Sequence, residues 1–232
     1  MGAADKDVPL TRELCRSVLP TGLAIIAYAL AFIGCVQCNV IKFTSTDSSN
    51  VRGVGLDHPI TVQFGFWSHE DVNFYMDSRS NYTYAVLSCT KYDDDINIES
   101  KWMAAGVFSI LPLIIVGLNF ILMCVKKCGD TDRWFTCVAY LLAFLFQGLS
   151  LLFLDTSACK NNPIIEGISD KIIGLTFQET CSISTGMKCI ISAMVFWLVA
   201  AFASAESYWA RMQKDKKGIP ITEPLIGDSV LY

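Results

Sequence analysis

Charged side chains vanish from four stretches of this chain. Residues 17–41, 102–125, 134–154 and 189–205 contain no Asp, Glu, Lys, Arg or His. Crossing a bilayer core takes about 20 apolar residues in a helix. The last window is the shortest, but Gly186 and Met187 lengthen it, and Lys188 can snorkel to the interface. Trp102 and Trp134 open two windows, and Tyr208 and Trp209 follow another, as interfacial aromatics do. Between the first two windows the period changes. In ITVQFGFWSHEDV, residues 60–72, Val62, Phe64 and Phe66 alternate with Thr61, Gln63 and Gly65. That is the pattern of a half-buried strand. NVIKFTST (39–46) and NYTYAVLSCTK (81–91) are also rich in strand formers, and the turn-prone TDSSN, LDHP and DSRSN separate these stretches. Three strands, here 39–46, 60–67 and 81–91, are about the minimum for a stable sheet.

The predicted fold is an all-α membrane protein: a four-transmembrane-helix bundle with a small antiparallel β-sheet in the first extracellular loop. Its parts are an N-tail (1–17), spans at 18–41, 102–125, 134–154 and 187–205, a β-rich first loop (42–101), a short loop (126–133), a second outer loop (155–186) and a C-tail (206–232). Composition agrees. Only 17% of residues are charged, below the roughly 25% of soluble domains. The basic residues are scattered, in nothing longer than pairs such as Lys126-Lys127, and the net charge is −4, so no nucleic-acid partner is expected. Arg12, Arg16 and Ala29-Leu30-Ala31 imitate a signal peptide, but the apolar run continues to Val36, which favours an uncleaved signal anchor.

Charge sets the expected orientation. The two tails and the 126–133 loop hold ten basic residues in about 50 positions. The other two loops, taken to Lys188, hold eight in about 94, beside thirteen acids. Both termini are therefore expected in the cytoplasm, with the plasma membrane as the default location. The one N-glycosylation sequon, at Asn81, falls in the first long loop.

The cysteines divide along the same line. Cys159 and Cys181 bracket most of the second outer loop; a bridge would close about 20 residues and contribute roughly 3 kcal/mol. Cys89 has Cys38 and Cys35 as candidate partners, and Cys38, nearer the loop, is preferred. Four cysteines allow three connectivities, and free buried thiols are the alternative. Cys15, Cys124, Cys128 and Cys137 sit at the inner ends of spans, where S-palmitoylation and plain helix packing are evenly matched.

The spans hold little that can do chemistry. Ionisable groups there would mark ion pathways. The polar residues there include Gln37, Asn39, Asn119, Gln147, Ser150 and Ser192, which more often bond between helices, and Asn119 and Gln147 are candidates to pair. Small residues, including Ala27, Ala31, Gly34, Ala193 and Ala200, allow close helix contact. Outside the spans, His58, His69, Glu70 and Asp71 read as a solvated face before a metal site. Asp93-Asp94-Asp95 reads as an acidic turn, and Cys124 and Cys128 lack a second zinc-ligand pair. No cofactor or metal is expected. The C-tail reads as disordered, with Lys214, Lys216 and Lys217 meeting anionic headgroups. It ends in Val230-Leu231-Tyr232, a form that PDZ-type grooves accept at the terminal Tyr232.

Gly65-Phe66-Trp67, with Cys89 about twenty residues on, resembles the first-loop motif of the claudin and peripheral myelin protein superfamily, and KWMAAGVFSI (101–110) resembles that family's entry into the second span. The family's second loop cysteine and upstream Trp have no counterpart, so its pore and adhesion chemistry is not implied. LFQGLSLLFLDTSACKNNP (145–163), CSISTGMKCIISAMVFWLVAA (181–201) and FGFWS resemble four-span proteins numerous in diatoms and related algae, a likeness that implies an architecture but no activity. Gly65, Phe66 and Trp67 are expected to wedge between sheet and helices, or to serve as ordinary loop core. The expected function is non-enzymatic: organising membrane partners, other copies or other proteins, or making extracellular contacts through the first loop. A channel or transporter subunit is the alternative, and a lipid-acting membrane enzyme is the third reading.

Overall fold

The computed structural model describes residues 8–46, 59–76, 83–92, 98–125, 130–171 and 176–216. Its long helices are α1 (Val8–Val36), α2 (Ser100–Val125), α3 (Asp130–Ser150) and α5 (Thr185–Lys216), and a short helix, α4 (Pro163–Lys171), precedes the last. Four of these helices carry segments long and apolar enough to cross a membrane. Several bounds differ from the hydropathy windows. α1 starts before residue 18 and stops at Val36, and α3 tightens into a 3-10 turn over Leu151–Asp155. α5 continues well past 205. Hydropathy reports where charge is absent, whereas a helix continues while its backbone bonds are made.

The helices pack through small residues. Ala24, Ala27 and Ala31 of α1 and Ala193, Ala200 and Ala201 of α5 are buried around Trp197 and Tyr140. A Cβ on Gly34 would lie 2.6 Å from Ile190 Cγ1 and 2.8 Å from the Gly186 carbonyl, so α1 and α5 nearly touch backbone to backbone. The outward faces are apolar too, with Ile25, Leu118, Leu145, Val195 and Phe202 exposed. This two-sided apolarity is that of a bundle whose surroundings are lipid.

The sheet has five strands, not three: β1 (Ile41–Thr44), β2 (Thr61–Phe64), β3 (Ser68–Met76), β4 (Thr83–Lys91) and β5 (Ser182–Ile183), in the order β4-β3-β2-β1-β5. All neighbours are antiparallel. The 60–67 stretch is not one strand, because the chain reverses after Phe64 and residues 68–76 return as β3. The helix α4 and the strand β5 lie in the 155–186 segment, outside the elements that periodicity predicts. β5, drawn from the segment before α5, pairs Ile41 with Ile183 and ties both connecting segments into one sheet. Two residues carry too little periodicity to be read as a strand.

Candidate functional site

The densest chemistry lies where the sheet meets the helix ends. Gly65 begins the reversal, its N–H donating to the Ser68 carbonyl at 2.7 Å. A side chain there has no room: a Cβ would lie 2.6 Å from the Gln37 carbonyl oxygen and 2.9 Å from Cys38 Cα. The chain leaving α1 thus crosses the bend at backbone distance. Cys38 on that crossing is bonded to Cys89 on β4, with the Cα atoms 6.3 Å apart. The second pair is Cys159 with Cys181, Cα atoms 4.8 Å apart.

Phe66 and Trp67 leave the bend in different directions. Phe66 is buried against Phe153, ring centroids 4.9 Å apart. Trp67 is 41% exposed. Its indole covers Gly106 on α2, where a Cβ would sit 3.0 Å from Trp67 Cζ2. One residue therefore enters the core and the other lies across a helix.

From Phe66 the aromatic contacts continue through this junction of the sheet with the helix ends, here called the collar. Phe153 meets Trp102 at 5.7 Å, Trp102 meets Tyr92 at 5.1 Å, and Tyr92 stacks on His69 at 5.2 Å. His69 stacks in turn on Phe64 at 6.0 Å, and Phe64 meets Phe43 edge-on at 5.7 Å. The Tyr92 hydroxyl donates to the Gly65 carbonyl at 2.7 Å, closing the series on the bend. Burial raises the Tyr92 phenol far above its ordinary range, so it stays a neutral donor. The solvated face expected for His69 is not what forms: His69 is buried, and Phe64 is its partner across the hairpin. His69 and Tyr92 carry no sequence signal for this role, because their places follow from the hairpin register.

Polar groups on this platform hold structure. The Glu70 carboxylate accepts the Gln63 backbone N–H at 2.9 Å and its amide Nε2 at 3.1 Å. The Gln63 Oε1 accepts the Ser184 hydroxyl at 3.1 Å. Desolvation raises the Glu70 carboxyl above its ordinary value, and the two Gln63 bonds oppose that rise. Asn162 receives the Ile164 N–H and donates to the Ala158 carbonyl, which starts α4. Beside α4 an open cleft of about 340 Å³ carries Glu166, Glu179 and Gln178 on its lining.

Beyond the collar, β3 and β4 run on as a ribbon from Ser68↔Lys91 to Met76↔Thr83. Tyr75, Val86 and Leu87 on it are exposed.

Within the bundle, the expected Asn119–Gln147 pair does not form. Asn119 Oδ1 accepts the Thr136 hydroxyl at 3.4 Å, while Gln147 is fully buried with no hydrogen bond to either amide atom among the described residues. α2 and α3 run in opposite directions, so residue numbers near mid-span did not imply equal depth. Cys137 is buried with its thiol on the Ala201 carbonyl at 3.5 Å, a helix-packing contact. Cys15 and Cys124 lie on α1 and α2. Their side chains, and Cys128, Asn81, His58, residues 93–95 and Tyr232, lie outside what is described. No known family's sequence profile matches this chain, and no curated protein does.

Proposed function

We propose that this chain is a non-enzymatic tetraspan membrane protein that organises membrane partners, or contacts material outside the cell, through the sheet. The β3–β4 ribbon carries this reading: it presents Tyr75, Val86 and Leu87 to the surroundings from a base held by the Cys38–Cys89 bond and the aromatic series. A rigid base lowers the entropy lost when a partner docks. Glu70, Tyr92 and Asn162 of the collar are engaged in holding the platform together, and His69 is stacked between Phe64 and Tyr92. The basic-residue bias supports the sheet lying outside and both termini in the cytoplasm. Four spans with a β-rich first loop support a claudin-like architecture, shared with the algal four-span proteins.

The test is recovery of the full-length protein from lightly cross-linked membranes. A specific complex should be lost in the Tyr75→Ser, Val86→Ser double variant and kept when exposed Trp209, at the far end of α5, is changed to Ser. Identical complexes in all three would overturn the reading. One observation favours a channel or transporter subunit instead, the buried Gln147 amide, which has no hydrogen bond among the described residues. Solute flux in liposomes that disappears in Gln147→Leu would establish that alternative.

A further inference from the structure

Among the described residues, no strand pairs with the outer edge of β4. β2 pairs with β3 only at Phe64↔His69, whereas β3 and β4 stay in register from Glu70↔Cys89 out to Met76↔Thr83. Over that length the sheet is two strands wide among the described residues, and a two-stranded ribbon is marginal in water without a third strand or a covering layer. Val86 and Leu87 are adjacent, so they point to opposite faces. They are 41% and 43% exposed, which leaves neither face of β4 covered at that point.

The two edges differ. β3 carries Asp71, a charge of the kind that guards an edge against pairing, just beyond the point where Glu70 is bonded to Gln63 of β2. β4 has no charge and no proline from Thr83 to Thr90, and Lys91 stands at its base. An uncharged, β-prone edge of this length is a template for another strand.

We propose that β4 pairs with β4 of a second copy, antiparallel about a two-fold at Leu87, to build a four-stranded β3-β4-β4-β3 sheet. This rests on the ribbon being the contact surface. In that register Leu87 faces its own copy, Val86 faces Ser88, and Lys91 faces Thr83. The strand's single charge never meets its like, and like charges opposed across strands are destabilising. A different protein would have to bring an unpaired strand of its own, whereas a second copy carries one by construction. Two-fold pairing also closes both bare edges at once and leaves only the charged β3 edges outside.

The test uses the full-length protein with Leu87→Lys and Leu87→Glu under different tags. Each is reconstituted alone and mixed, and dimers are counted by single-molecule photobleaching in one bilayer and by clustering between vesicles. The wild type is expected to dimerise in one of the two arrangements. Each charged variant alone should lose dimer at least about tenfold, and the mixture should recover it as a Lys–Glu heterodimer, which also shows that both variants fold. Wild-type monomer in both settings, dimers indifferent to either charge, or no recovery on mixing would overturn the proposal. If the wild type is monomeric but still captures another protein in a Tyr75- and Val86-dependent way, self-pairing fails and the proposed function stands. If that capture is absent too, both fail.

Discussion

Rings from Phe43 to Phe66 touch in series through the collar, and two disulfides clamp its ends, whereas alanines and glycines fill the contacts of the bundle below. The difference follows from what surrounds each region. A sheet facing water gains from burying large apolar rings, at about 25 cal/mol per Å². A helix in lipid gains nothing by hiding leucine, because lipid is as apolar as the neighbouring helix, so close backbone approach and dispersion must hold it. The sheet end therefore joins its buried Trp, Phe and Tyr rings in series, whereas the bundle sets its buried Trp197 and Tyr140 among alanines and leaves Phe32, Phe135 and Phe202 exposed.

This comparison is sharpest at two tryptophans buried to the same degree, Trp102 in the collar and Trp197 in the bundle. Trp102→Ala should destabilise by about 3–5 kcal/mol in thermal unfolding in mild detergent. Trp197→Ala should cost less, about 2 kcal/mol, because only packing is lost. Equal losses would break the comparison. Removing the clamps comes next. The Cys38–Cys89 bond spans 51 residues and the Cys159–Cys181 bond 22. Paired Cys→Ser replacements should cost about 4 and about 3 kcal/mol respectively in the chain-entropy account. Limited proteolysis should locate both losses at the sheet end, with the bundle still folded.

Smaller effects test the polar groups. Gln147→Leu removes a buried amide that has no hydrogen bond among the described residues, and should raise unfolding stability by about 1–2 kcal/mol. Loss of stability would show that the amide is engaged within the membrane. The smallest effect concerns pH. Burial raises Glu70 above the ordinary 4.5, so the folded protein holds that proton more tightly than the unfolded chain. Stability from this group is full below 4.5, declines as pH rises through the raised folded value, and is level above it. Glu70→Gln should flatten that slope in a pH series of unfolding midpoints. An unchanged slope would mean that another group sets it.

Particular residues show how far reading the chain could go. The charge-free windows located the four long helices, since a missing charge is a one-dimensional fact about the solvent a segment meets. Cys38 was legible as the neighbour of Cys89 for a similar reason, being the nearest cysteine at the loop's root, and the structure pairs the two. The aromatic turn at 65–67 was visible as a motif, yet its division into buried Phe66 and helix-covering Trp67 was not. That depends on how α1 and α2 pass the bend.

Composition and periodicity by themselves determined the membrane-crossing character of the helices, the presence of β-structure between the first two, and the cysteines available at its edges. These depend on each segment's own solvent preference. Tertiary structure alone decided that β3 returns after Gly65, that a two-residue strand from 182–183 joins the sheet, that His69 and Tyr92 become core, and that Asn119 finds Thr136 instead of Gln147. Each of these turns on a contact between residues distant in sequence, set by register and helix depth, and neither quantity is written in any single stretch of the chain.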